Sequence, residues 1–211
     1  MSYSNDQLST YLNSLVPERR AEVQKMEAYA QEHGFPIIGP AAGHFCYLIA
    51  RLAGAKRIFE LGSGYGYSTA WFARAVQEND GDEVFHVVWD EELSQRARKH
   101  LSALGYDDIV RYHVGEAVAA LRETSGQFDL IFNDIDKEGY PDSLDVIEEK
   151  LRPGGVLIID NAIWSGRVFD DSEQDASTKA IRETTRRLTN NQKWLASIVP
   201  IRDGLLVAFR Q

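Results

Sequence analysis

The 211-residue chain is long enough to close a hydrophobic core, and its 44% hydrophobic and 26% charged residues are the proportions of a globular protein. A net charge of −9 and a pI near 5.1 weigh against a nucleic acid partner, because phosphate binding needs a basic surface. The lone cysteine, Cys46, excludes an internal disulfide, the first residues Met-Ser-Tyr-Ser-Asn-Asp carry no leader pattern, and no apolar run is long enough to span a bilayer. A cytoplasmic protein with no membrane partner is expected.

The first ~55 residues have helical periodicity. Leu8, Leu12 and Leu15 share a face, Pro17 is expected to start a second helix that runs to His33, and Gly34 stops it. Phe35-Pro-Ile-Ile-Gly-Pro40 is too rich in Pro and Gly for helix, and a third helix is expected from Ala41 to Leu52. From Arg57 the pattern alternates. Strands are predicted at Arg57–Leu61, Val84–Trp89, Ile109–Val114, Phe128–Asn133 and Val156–Asp160. Helices are predicted between them near Ser68–Val76, Glu91–Leu104, Glu116–Glu123 and Tyr140–Leu151. Such alternation builds a parallel sheet with helices on both faces. After a helix near Ser177–Leu188, the runs Trp194–Ile201 and Leu205–Phe209 flank Arg202-Asp-Gly204, so an antiparallel strand should finish the sheet. The polar stretch Ser165–Thr178 is the expected mobile loop.

Between the first strand and its helix lies Glu60-Leu-Gly-Ser-Gly-Tyr-Gly-Tyr-Ser68. Glycine lets backbone approach a ligand closely, and a helix N-terminus offers free N–H groups. The dinucleotide fingerprint requires G-x-G-x-x-G; Gly62 and Gly64 fit it, but Tyr67 stands at the third position and Gly66 breaks the spacing. Glu60 just before the glycines suits a cationic cofactor, and Glu-x-Gly-x-Gly-x-Gly is a common pattern of S-adenosylmethionine sites. Gly62, Ser63 and Gly64 would then cradle it. Asp90, closing the second strand, is the candidate ribose ligand.

Two apolar runs end in oxygen-bearing side chains: Phe128-Asp-Leu-Ile-Phe-Asn-Asp-Ile-Asp-Lys137 and Gly155-Val-Leu-Ile-Ile-Asp-Asn161. Strand ends at the carboxyl edge of a parallel sheet are where open α/β folds place their sites. Asp134, Asp160 and Asn161 form a hard oxygen set suited to a divalent cation, and Lys137, three residues after Asp134, is the candidate catalytic base. Trp164 either walls the substrate pocket or packs beneath the following loop. His44 and His113 lack metal-spaced partners and are expected to be structural.

Together these segments resemble the cation-dependent O-methyltransferases of the catechol and caffeoyl-CoA type. The resemblance spans nearly the whole chain, also taking in Gly39-Pro-Ala-Ala-Gly-His-Phe45, Leu151-Arg-Pro-Gly-Gly155, Asp160-Asn-Ala-Ile-Trp-Ser-Gly-Arg-Val168 and Asp203-Gly-Leu-Leu206. It implies a Rossmann-like seven-stranded methyltransferase sheet with an N-terminal helical extension. The chain would be one domain, 1–211, with a lid or dimer segment at 1–55, a catalytic core at 56–211, and homodimeric assembly. It implies S-adenosylmethionine and Mg²⁺ or another divalent cation as cofactors, and a small phenolic or catechol acceptor. By the same resemblance Asp134, Asp160 and Asn161 hold the cation, Asp134 also reaches the cofactor, and Lys137 is the general base. Glu60 and Ser68 hold the methionine end of the cofactor, Ile38 offers backbone contacts, and Ala117 lies near the adenine. Val88 stands where the family has its ribose-binding acid, which leaves Asp90, two residues later, as the substitute.

A phenol has a pKa near ~10 and is a weak nucleophile at neutral pH, so cation coordination and a positioned base are what its methylation needs. Three other functions remain open at this point. They are methylation of a hydroxylated nucleoside in tRNA, dinucleotide-dependent oxidoreduction, and cofactor binding without catalysis.

Overall fold

The computed structural model describes residues 4–211; the reading of the N-terminus as free of a leader falls partly on residues 1–3, outside the described residues. Three helices come first: α1 (Asn5–Ser14), α2 (Ala21–His33) and α3 (Gly39–Leu52). Ser4 caps α1 in a reciprocal box with Gln7. Helix α2 starts four residues later than Pro17 suggests. Pro17–Arg20 is instead an extended tether: Arg19 grips Glu27 through two hydrogen bonds of 3.0 Å, and Arg20 donates to the Leu104 carbonyl at 2.7 Å. Gly34 ends α2 in the left-handed region, with φ at 63°. Helix α3 starts at Gly39 rather than Ala41, because Pro40 lies in its first turn, where a missing N–H is harmless.

Strands and helices then alternate: β1 (Arg57–Leu61), α4 (Tyr67–Glu78), β2 (Glu83–Val88), α5 (Glu91–Ala103), β3 (Val110–Val114), α6 (Ala117–Glu123), β4 (Phe128–Asn133), α7 (Tyr140–Lys150) and β5 (Leu151–Ile159). Helix α8 (Ala176–Thr189), β6 (Trp194–Val199) and β7 (Leu205–Arg210) complete the chain. The seven strands lie in the order β3-β2-β1-β4-β5-β7-β6. Only β7 runs against the others, pairing antiparallel with both β5 and β6. Strand β5 begins at Leu151, five residues before the predicted start. Leu151 pairs with Phe128 across a register shift, so the Pro-Gly-Gly segment is an irregular strand end, not a loop.

Alternate residues of the central strands feed two cores. Ile58, Leu130 and Ile158 pack with α3 and α4 on one face; Phe59, Ile131 and Leu157 pack with α6 and α7 on the other, all fully buried. Each such side chain stabilises the fold by about 1.5–3 kcal/mol, which makes the sheet the rigid part of the molecule. The strand order reverses beside β1, which continues one way into β2 and β3 and the other way into β4 and β5. A crevice outside the carboxyl ends opens at that point. No helix among the described residues is long and apolar enough to cross a membrane.

Candidate active site

Register places the site. Leu61, Asn133 and Ile159, the last residues of β1, β4 and β5, lie in one row across the sheet. The next backbone bonds continue it, Asp134 N–H donating to the Leu61 carbonyl at 2.8 Å and Asp160 N–H to the Asn133 carbonyl at 3.1 Å. Gly62, Asp134 and Asp160 therefore stand side by side on one edge. They line a cavity of about 540 Å³ that also receives Ile38, Ser63, Gly64, Ser68, Ala117, Lys137 and Asn161. The structure thus brings together every sequence-predicted site residue except two. Glu60 lies just beneath the cavity floor, and Asp90 stands outside it.

The glycine turn needs its glycines. At Gly62 φ is 86°, and a Cβ there would lie 2.5 Å from the Asp134 carbonyl oxygen, so no side chain fits between β1 and β4. Ser63 closes the turn onto β2: its N–H donates to the Val87 carbonyl at 2.9 Å, and its hydroxyl accepts from Val87 N–H at 3.0 Å. Tyr65 and Tyr67 anchor the loop to α2, donating to the Met26 carbonyl and to Glu27, each at 2.8 Å.

Glu60 is fully buried on the α4 face of β1. Thr69 donates to its Oε2 at 2.5 Å, and Nδ1 of His86, on the neighbouring strand, lies 3.0 Å from the same hydroxyl. Burial holds His86 neutral, with its pKa pushed down to about 3, so an imidazole protonated on Nδ1 can donate to Thr69 while Thr69 donates to Glu60. The other carboxylate oxygen, Oε1, is buried without a partner. Burial raises the Glu60 carboxyl to about 7, opposed by the hydroxyls of Ser68, Thr69 and Ser63. An orphaned acceptor under a glycine cradle fits a cationic ligand group. Sequence reasoning missed Thr69 and His86; the alternation of β2, which puts His86 in register with Glu60, was the available signal.

Asp90 has another task. It is exposed, its Oδ1 accepts from Leu93 N–H at 2.9 Å as the N-cap of α5, and it does not line the cavity. A short side chain at a helix start satisfies the nearest free N–H, which is the contact Asp90 makes here. Val88 and the exposed Trp89 line the cavity at the end of β2 instead. Glu116 likewise caps α6, accepting from Val118 and Ala119 N–H, and this sets Ala117 at the cavity wall.

At the other end, Lys137 Nζ donates to Asp134 Oδ1 at 2.7 Å and to the Ile135 carbonyl at 3.1 Å. Asp160 is 1% exposed; its Oδ2 accepts from Arg202 Nη1 at 2.8 Å, and its Oδ1 is buried without a partner. Burial and the neighbouring Asp134 charge raise Asp160 to about 6 against the pull of Arg202; burial likewise raises Asp134 against Lys137. Asn161, at φ 58°, donates from Nδ2 to Asp203 Oδ2 at 2.9 Å, which turns its own Oδ1 away from that contact. Among the described residues no three His, Cys, Asp or Glu side chains form a metal cluster. The set here is two carboxylates and one amide, each with one oxygen uncommitted, and that is chemistry a hard divalent cation accepts.

Arg202 is a cavity residue that sequence reasoning missed; the Arg-Asp-Gly turn signal showed a hairpin but not its direction. Trp164 lines the cavity, and its indole Nε1 is buried without a partner. The expected mobile loop is instead tied down. Trp164–Phe169 forms a 3₁₀ turn, and the Arg182 guanidinium donates to the carbonyls of Arg167, Val168, Asp170 and Glu173. His44 packs beside Tyr47 and Trp71, and His113 is exposed on β3; neither lines the cavity.

Residues 6–211 match the family model described as O-methyltransferase. The chain belongs to the O-methyltransferase family. Its relatives include the catechol O-methyltransferase of Niastella koreensis, 31% identical over 205 residues, covering 94% of this chain and 85% of that protein. The O-methyltransferase TomG of Streptomyces achromogenes, involved in tomaymycin synthesis and solved with S-adenosylmethionine, superposes with a TM-score of 0.86 at 27% identity, covering 97% of this chain and 96% of that one. A Bacillus cereus O-methyltransferase solved with S-adenosylhomocysteine superposes with a TM-score of 0.87 at 25% identity, with 97% of each chain covered. Family membership makes the chain a methyl-transferring enzyme and sets aside the dinucleotide reading that the glycine spacing already opposed.

Proposed function

We propose that the protein transfers the methyl group of S-adenosylmethionine to a hydroxyl of a small catechol-like or phenolic acceptor, with a divalent cation held by Asp134, Asp160 and Asn161. The observation that carries this reading is the register row itself. It sets the glycine turn at the end of β1 directly beside a carboxylate–lysine pair at the end of β4. The buried, partnerless Glu60 Oε1 would meet the cofactor's ammonium, while Gly62 and Gly64 allow its chain to lie against the backbone. When bound, the cation would favour the phenolate over the phenol at neutral pH.

The chain's own residues do the rest. Lys137, held against Asp134, is the group positioned to take the phenolic proton at Nζ. The phenolic oxygen then forms its bond to the methyl carbon as the carbon–sulfur bond breaks, and the sulfonium leaves as a neutral thioether. Tyr140, donating to the Asp160 carbonyl at 3.0 Å, and the Asp203 contact to Asn161 hold the acid edge in place. Orientation of this kind contributes roughly 7–11 kcal/mol in well-aligned reactions, and it is the main thing this rigid edge supplies.

The test is methyl transfer from labelled S-adenosylmethionine to catechol with Mg²⁺, with EDTA, and with Asp160→Ala. Turnover is expected with Mg²⁺ and should fall at least about a hundredfold in the other two, the loss typical of removing a transition-state charge partner. Undiminished turnover in EDTA would remove the cation, and failure to methylate any hydroxyl would remove the acceptor class.

A further inference from the structure

Arg202 lines the cavity against Asp160, and the turn that carries it is bonded to the segment of Ala162, Ile163 and Ser165, beside the cavity residues Asn161 and Trp164. Its only hydrogen bond among the described residues runs from Nη1 to Asp160 Oδ2, at 2.8 Å. The edge formed by Nε and Nη2 has no partner there, and the side chain is 34% exposed. A guanidinium has five N–H donors in a fixed fork, so one edge can hold Asp160 while the other binds a second carboxylate in parallel.

The backbone is arranged to keep it there. Arg202 sits at φ 54°, which is unfavourable for a side chain of this size, and Asn161, Trp164 and Ser165 share that left-handed region. The turn is stitched to the acid edge, Ala162 N–H donating to the Gly204 carbonyl at 2.9 Å and Ile163 N–H to the Asp203 carbonyl at 2.8 Å. A Cβ on Gly204 would lie 2.5 Å from Ile163 Cγ1, so the two segments are in close contact. Strain of this kind gathers where the surroundings fix a functional side chain. Trp164 and Ile37 also line the cavity, Trp164 with an indole N–H that has no partner, and the other cationic side chain there, Lys137, is bound to Asp134.

We propose that Arg202 selects the acceptor: the preferred substrate is a vicinal dihydroxy aromatic acid whose carboxylate pairs with the free guanidinium edge while its hydroxyls face Asp134, Asp160 and Lys137. This rests on the methyl-transfer reading above and narrows its substrate class. Trp164 covers the ring between the two ends.

The experiment compares 3,4-dihydroxybenzoate with 3,4-dihydroxybenzamide, nearly equal in size but different in charge, on the wild type, Arg202→Gln and Arg202→Lys. Two measurements are made: kcat/KM for each probe, and calorimetric affinity for each with S-adenosylhomocysteine present, which needs no turnover. The wild type is expected to prefer the acid by at least about tenfold, the size of a charge-assisted hydrogen bond. Arg202→Gln should bring the ratio to about one, and Arg202→Lys should restore part of it as a point charge without the fork. Because the readout is a ratio within each protein, any weakening of Asp160 cancels. A wild-type ratio near one overturns the proposal, as does a preference that survives in Arg202→Gln. If Arg202→Gln does not fold, the wild-type ratio and its reduction in Arg202→Lys decide. Methylation of both probes without preference sinks the Arg202 assignment and leaves methyl transfer standing. Acid-selective binding with no methylation of either probe does the reverse.

Discussion

Glu60 is a carboxylate in a place that disfavours its charge, and the consequence can be measured. Its folded-state pKa of about 7 lies above the ordinary 4.5 expected of an unfolded chain. Between those values the folded protein keeps a proton that the unfolded chain has released, so stability declines as pH rises and levels off above about 7. The decline should be roughly 3 kcal/mol in cofactor-free protein, at 1.4 kcal/mol per pH unit, with Asp160 adding to it in the same direction. Urea melts from pH 4.5 to 8 should show it, and Glu60→Gln should flatten most of it. Cofactor binding carries the opposite dependence, because an ammonium is met by the ionised carboxylate. Affinity for S-adenosylhomocysteine should rise toward pH 7, by up to about tenfold per unit, and Glu60→Gln should weaken binding while removing that slope. A slope that persists in Glu60→Gln would place the titrating group elsewhere.

Among the elements, the segment after β5 is the one whose behaviour departs most from its composition. Polar residues and the absence of apolar periodicity suggest a mobile stretch, yet Arg182, reaching across from α8, donates to four of its carbonyls. Asp175 caps α8 at the segment's end, accepting from Thr178 N–H at 3.0 Å. Such a clamp fixes the wall that carries Trp164 without any apolar core of its own. Arg182→Met should speed amide exchange across residues 165–175 and raise the acceptor KM more than it lowers kcat, since the clamp orders the binding wall and not the Asp134–Lys137 pair. Unchanged exchange in that segment would show that the 3₁₀ turn holds itself. The same lesson applies to α2, whose late start follows from Arg19 and Arg20 being drawn to Glu27 and to the Leu104 carbonyl. No local rule contains those distant partners.

For the whole molecule, the cavity joins the segment 35–38 ahead of α3, the glycine turn and the ends of β1, β2, β4 and β5, so a ligand filling it links parts of both cores. S-adenosylhomocysteine at a hundred times its Kd should raise the unfolding free energy by about 2.7 kcal/mol, read as a thermal shift, and Glu60→Gln should reduce that gain at equal ligand. The amino-acid sequence by itself determined the strand–helix alternation and the acid-bearing strand ends. It also placed the glycine-rich turn after the first strand and the finishing hairpin. Each of these depends on periodicity or on the conformational freedom of one residue, both of which are local. Only the tertiary structure decided that Asp90 caps a helix, that His86 and Thr69 stand behind Glu60, and that Arg202 meets Asp160. Those outcomes depend on strand register: Ile159 pairs with Leu206, which carries the Arg202–Gly204 turn onto the acid edge. Register is set by the packing of two cores at once, and no short window of sequence contains both of them.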